Sequence, residues 1–131
     1  MTNFNNIINE IKFNSDGLVA AIAQQYDTNE VLMMAWMDRQ AIIKTLASND
    51  VYYFSRSRKK LWRKGESSDQ TQSLKEFLID CDGDTLLLKV DQKGVACHTG
   101  RKNCFFKQVK NNKITVNQEV IIAPNELYKN D

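Results

Sequence analysis

The stretch LIDCDGDTLLL, Leu78 to Leu88, sets three aspartates and a cysteine between two apolar runs. Asp82-Gly83 suits a two-residue hairpin turn, because glycine takes positive φ without steric cost. With that turn Ile79 faces Leu86 and Leu78 faces Leu87, so the hairpin is apolar on both faces near its tip. A strand pair of this kind lies in the middle of a domain or is covered by another subunit. Asp80, Asp82 and Asp84 repel one another there, and ionised groups beside apolar surface lose hydration. The pattern requires a positive charge among the carboxylates.

Around that hairpin the chain reads as alternating short elements. Phe4, Ile7, Ile8 and Ile11 recur at helical spacing, predicting an amphipathic helix over residues 3–13. GLVAAIAQQY and EVLMMAW read as strands joined by the polar turn DTNE. Asp38 is placed to cap a helix running to about Ser48 that buries Ala41, Ile42 and Leu46. VYYFSRS is β-like in content, and a last hairpin turns at Asn111-Asn112. A polar tail follows residue 107, and the whole, residues 1–131, reads as one domain with its core over 17–106.

Bulk properties exclude several classes. With 42% hydrophobic and 26% charged residues the chain is neither disordered nor fibrous, and its net charge of +2 gives no general attraction to nucleic acid or membrane. The longest apolar run, LVAAIA, is far short of a membrane helix, and MTNFNNIINE lacks the character of a signal peptide. Three cysteines, an odd number without a secretory signal, point to reduced thiols in a cytoplasmic protein.

Those thiols are Cys81, Cys97 and Cys104. A buried cysteine is often only a small hydrophobe. Yet Cys97 and Cys104 stand in the polar loop CHTGRKNC, and Cys81 stands among aspartates that oppose a thiolate unless a metal holds it. Three thiols suit a zinc site that keeps one position open. His98, the single histidine, adjoins Cys97, and adjacent side chains seldom converge on one tetrahedral ion. It therefore reads as a general acid or base rather than a fourth ligand. The hard oxygens of Asp80, Asp82 and Asp84 suit magnesium beside zinc. An EF-hand is excluded, since counting from Asp80 puts Thr85 where glycine is needed and Asp91 where glutamate is needed.

The segment SRSRKKLWRKGE carries Arg56, Arg58, Lys59, Lys60, Arg63 and Lys64 around Trp62. Such a run is either a solvated basic strand pair or a site for an anionic ligand. In the second case Arg56 and Arg58 suit phosphate, and Trp62 can stack on a purine. Ser67 and Ser68 offer further phosphate partners, and Glu66 suits ribose hydroxyls or a metal. No P-loop or Rossmann fingerprint is present.

Taken together, VLMMAWMD, YYFSRSRKKLWRKGESS, DCDGDTLLLKV and GVACHTGRKNCFF resemble the phosphoribosyl-AMP cyclohydrolase family of histidine biosynthesis over roughly residues 17 to 106. One departure is Asp69, where the family pattern has glycine after GESS. The resemblance covers the monofunctional form and implies no pyrophosphohydrolase step. It implies hydrolytic opening of the adenine ring of 1-(5-phosphoribosyl)-AMP between N1 and C6. It further implies an intertwined homodimer of α+β fold, mainly antiparallel β with a few short helices. Zinc would be held by Cys81 of one chain with Cys97 and Cys104 of the other, and magnesium by Asp80, Asp82 and Asp84. Zinc would lower the pKa of a water toward about 7, and His98 would move the proton that lets N1 leave.

Rival readings are separable. A zinc nucleobase deaminase needs H-x-E with P-C-x-x-C, but His98 is followed by Thr99-Gly100 and the only proline is Pro124. A zinc-stabilised nucleic-acid-binding module would use the basic segment, yet the aspartate hairpin opposes a polyanion. A purely structural zinc protein would not need His98.

Overall fold

The structure, a computed structural model, describes residues 3–128. Its elements are α1 (Asn5–Ile8), β1 (Val19–Gln25), β2 (Val31–Met37), α2 (Arg39–Ser48), β3 (Tyr52–Ser55), β4 (Lys60–Arg63), β5 (Gln72–Ile79), β6 (Thr85–Gln92), β7 (Lys107–Lys110), β8 (Lys113–Val116) and α3 (Pro124–Leu127). Six strands form one sheet in the order β4-β3-β2-β1-β6-β5, and β7 and β8 form a separate hairpin. Val51 N–H donates to Gln72 O at 3.1 Å and Leu74 N–H to Asn49 O at 2.7 Å. The sheet therefore curls until the segment entering β3 meets the start of the edge strand β5. Among the described residues no helix is long and apolar enough to cross a membrane.

The α+β class holds, with a correction to its pairing. The ladders β1–β2, β2–β3, β3–β4 and β5–β6 are antiparallel, but β1 pairs with β6 in parallel, from Ala20↔Thr85 to Gln25↔Val90. The sheet is mixed. Each local hairpin gives antiparallel neighbours, whereas β1 and β6 are joined only through the long path over β2 to β5, which no local turn signals.

Alternation along the strands builds the core. Val19, Ala21 and Ala23 of β1 lie beside Met33 and Met37 of β2 and Leu86, Leu88 and Val90 of β6, all buried. Ala41 and Ile42 of α2 seal this layer, and Thr45, not Leu46, is its third fully buried position. The helix begins where Asp38 accepts from Ala41 N–H at 2.8 Å and ends at Asn49 in the left-handed conformation. The opposite face is also apolar. Leu78, Leu87, Ile22 and Met34 pair consecutively across β5, β6, β1 and β2, and the end members are 41% and 43% exposed.

The aspartate hairpin has the expected register but a wider tip. Ile79 pairs with Leu86 and Leu78 with Leu87. Asp80 N–H donates to Thr85 O at 3.0 Å, leaving Cys81, Asp82, Gly83 and Asp84 as a four-residue tip. The Asp80 carboxylate accepts from Asp84 N–H at 3.0 Å and Thr85 N–H at 3.3 Å, and this local capping displaces the tighter turn. β5 is an edge strand and the tip carboxylates are exposed, so the hairpin is not central in its own chain.

The helix expected over 3–13 is confined to Asn5–Ile8, because Lys12 N–H donates to Gly83 O at 2.7 Å instead of closing a helical turn. Ile8 and Ile11 are nevertheless buried. Gly83 has φ +75, and a β-carbon there would collide with the Glu10 carbonyl oxygen. Gly83→Ala is therefore expected to lower the thermal midpoint by roughly 5 °C or more, read by circular dichroism. Gly17→Ala is the control. It shares a positive φ of +74 but meets nothing within 4 Å, and its loss is expected to be smaller.

Candidate active site

The segment after β6 folds back on itself to carry two thiols. Ala96 N–H donates to Lys102 O at 3.1 Å, Cys97 N–H to Arg101 O at 3.2 Å and Gly100 N–H to Cys97 O at 2.9 Å. Cys104 is fixed separately, its N–H donating to Leu32 O at 2.7 Å. The two thiols lie near enough that Cys97 acts on Cys104. Burial, reinforced by Cys97 alongside, pushes the Cys104 thiol up to about 12, although the residue as a whole counts as exposed. A pair of neighbouring thiols is a donor set that a soft divalent cation would bind as thiolates.

The polar tail braces this loop. Gly100 has φ +86 and lies so close to Ile122 O that a β-carbon would collide with it. Ile121 N–H donates to Gly100 O at 2.8 Å, and Arg101 Nε donates to Gln118 O at 3.1 Å. Gln118 Nε2 also donates to Asn103 Oδ1 at 2.7 Å.

A cavity of about 490 Å³ opens beside the thiols. His98 and Cys104 line it from the loop, Trp62 from β4, Arg58 from the turn before that strand and Lys64 from the residue just after it. The turn from Gly65 to Ser68 completes the wall. Trp62 is set by its packing on Tyr53, ring centroids 5.4 Å apart. Gly65, at φ +87, lies against the backbone of Gln70 and Thr71, and Asp69 N–H donates to Gly65 O at 2.8 Å. Asp69 itself is left-handed at φ +64, which explains why glycine suits that position and why the shorter-range polar residue aspartate is tolerated. Its carboxylate meets Lys93 Nζ at 2.9 Å, and that hydrogen bond holds it below the usual carboxylate range.

The cavity thus unites His98, Cys104, Arg58, Trp62, Glu66, Ser67 and Ser68. Cys97 stands behind them, buried, its Sγ 3.0 Å from Thr99 Oγ1. Arg56 does not line the cavity; its guanidinium lies 5.1 Å over the Trp36 ring. Cys81, Asp80, Asp82 and Asp84 are at the other end of β6, an eight-residue strand. Eight strand residues span roughly 25 Å, so Cys81 does not reach Cys97 and Cys104 within one chain. Among the described residues no three His, Cys, Asp or Glu side chains of one chain converge as a metal site. At the tip, hydrogen bonding to Asp80 and its charge push the Asp84 carboxyl upward. Asp80 is lowered, because desolvation is outweighed by hydrogen bonds from Asp84 and the backbone of Asp84, Thr85 and Gly83.

A model of the phosphoribosyl-AMP cyclohydrolase family matches residues 33–106, a span that holds the thiol loop and the cavity lining except Tyr128. The chain belongs to this family. It is 62% identical over 123 residues to the phosphoribosyl-AMP cyclohydrolase of Paramagnetospirillum magneticum, covering 94% of this chain and 93% of that one. Against the enzyme of the same name from Alcanivorax borkumensis it is 62% identical over 121 residues, 92% and 85% of the two chains. Against that of Halorhodospira halophila it is 57% identical over 122 residues, 93% and 86%. As a member of the cyclohydrolase family the chain is an enzyme, and its family-matched span contains every expected site residue.

Among the cavity residues that the sequence does not single out as site residues, the charged one is Lys64. Lys64 reads as one more solvated cation, yet it is buried, its Nζ donating to Ala96 O at 2.7 Å. The available signal was strand alternation, which puts Lys64 on the same side as Trp62. Gln70 and Gln92 were missed as well. Gln70 Oε1 accepts from Val95 N–H at 2.9 Å, and Gln92 Nε2 donates to Val95 O at 3.3 Å. Gln92 in turn accepts from Gln72 at 2.9 Å, and Gln72 accepts from Tyr53 OH at 2.7 Å, a chain of polar groups leading from the buried core to the thiol loop.

Proposed function

We propose that the protein is a homodimeric, zinc-dependent cyclohydrolase of the cytoplasm that opens the adenine ring of 1-(5-phosphoribosyl)-AMP between N1 and C6 in histidine biosynthesis. The observation that carries this reading is a single cavity in which an imidazole and a thiol face a serine-rich turn, an arginine and an indole. The names of the relatives support the substrate.

In this reading Arg58, Ser67 and Ser68 hold phosphate oxygens, Trp62 supports the base, and Glu66 reaches ribose hydroxyls. Arg56, outside the cavity, contributes its charge to the approach of the anion rather than to its seat. Cys97 and Cys104 would hold zinc together with Cys81 of a second copy, and Asp80, Asp82 and Asp84 at that hairpin tip would bind magnesium. The donor set fits, since two thiols are already side by side and the third stands on an exposed tip at the far end of β6. Zinc, when bound, supplies hydroxide near neutral pH. His98 delivers a proton to N1 as the N1–C6 bond breaks, directing expulsion of N1 rather than ammonia. The apolar row Leu78, Leu87, Ile22 and Met34 gives the second copy a face to cover.

The test is an ultraviolet assay of ring opening on purified protein, with zinc content and released ammonia measured together. Turnover without ammonia is expected. Ammonia release would favour a deaminase, and salt-sensitive binding of generic RNA without turnover would favour a nucleic-acid-binding module. Full zinc with untouched substrate would end the proposal.

A further inference from the structure

Lys64 has no use in the reading above, and its setting is unusual for a lysine. It is only 9% exposed, at the end of β4 on the wall shared with Cys104 and His98. Its Nζ donates to Ala96 O, the carbonyl immediately before Cys97, and lies 5.9 Å from the Trp62 ring centroid. Among the described residues no carboxylate lies within ion-pair distance of it. A buried ammonium without an anion is costly, because it gives up hydration that a single carbonyl does not replace.

Three clamps hold the segment that delivers Cys97 and His98. Gln70 takes Val95 N–H, Gln92 donates to Val95 O, and Lys64 donates to Ala96 O. Of these only Lys64 is charged. Neutral glutamines suffice to fix a backbone, so position alone does not explain a charge. Three thiolates around one divalent zinc leave a net charge of −1, which one adjacent ammonium neutralises.

We propose that Lys64 is a positioning residue for the Cys97–His98 segment and that its ammonium is the fixed counter-charge of the thiolate–zinc centre. The counter-charge role rests on the zinc reading above. Outer partners of a metal centre commonly change affinity or activity by about 10- to 100-fold when replaced.

The test uses zinc-loaded wild type, Lys64→Met, Lys64→Gln and Lys64→Arg, each checked for fold by circular dichroism. Lys64→Met keeps the apolar stem without donor or charge, and Lys64→Gln keeps a donor without charge. Both are expected to release zinc to a chelator about 10- to 100-fold faster and to lose a similar factor in kcat, with KM within about threefold. Lys64→Arg keeps the charge and is expected to recover part of both losses relative to Lys64→Gln. Should Lys64→Met fail to fold, Lys64→Gln decides. Folded Lys64→Gln with wild-type zinc release and kcat would overturn the role of Lys64. Wild type with neither zinc nor turnover would instead overturn the reading on which it rests.

Discussion

Cys97→Ala and Cys81→Ala, prepared separately, are each expected to lose ring opening by a factor on the order of 10³ or more and to retain little zinc. Together, after subunit exchange, they are expected to recover activity. The reason is the separation built into β6. Cys81 stands on the tip at the start of the strand, and Cys97 follows its end. A site needing both must take them from two chains. In a mixed dimer one site lacks both cysteines, while the other holds Cys81 from one variant and Cys97 with Cys104 from the other. With random exchange about one quarter of all sites become complete, so activity should rise to about that share of wild type. The fold should survive both changes. Cys97 is held by backbone bonds to Arg101 and Gly100 that alanine keeps, and Cys81 is exposed. Exchange demonstrated by mass spectrometry without any recovery would place the two thiols in separate roles.

That separation was legible only in part from the sequence. The register of the aspartate hairpin, the Asp38 cap and the turn at Asn111-Asn112 are decided by neighbouring residues, and all three occur as expected. Asn111 and Asn112 adopt positive φ, 52 and 62, as a tight hairpin turn needs. The parallel pairing of β1 with β6 depends on contacts over sixty residues apart, and no local pattern encodes it. The same pairing sets which end of β6 carries which cysteine relative to the cavity. Lys64 was hidden differently. Within RSRKKLWRKGE its charge resembles its neighbours, and only the curl that closes the sheet near Val51 and Gln72 turns it inward. The serines, Arg58 and Trp62 that line the cavity are contiguous and so stand out in the sequence, but contiguity does not say which face a side chain takes, and Arg56 lies over Trp36 outside the cavity.

His98→Ala is expected to slow turnover by about 10²- to 10⁴-fold, the range for a lost proton-transfer group, while zinc content and dimerisation stay at wild-type level. The separation of these readouts follows from the loop. His98 is exposed and lines the cavity, and no protein hydrogen bond is recorded for its ring among the described residues. Its neighbour Cys97 turns inward to Thr99 and Cys104, so the loop keeps its shape without the imidazole. A group that only supports structure would cost stability when removed; one that moves a proton costs rate. In the proposed function the phosphates fall to Arg58, Ser67 and Ser68, which line the cavity from another segment, so KM is expected to change little. Added imidazole should restore part of the rate at saturating substrate, because the deletion leaves an open cavity wall where a small base can enter. Loss of zinc in His98→Ala would instead make the imidazole a ligand, and an unchanged rate would leave the ring opening without a proton carrier among the residues of this cavity.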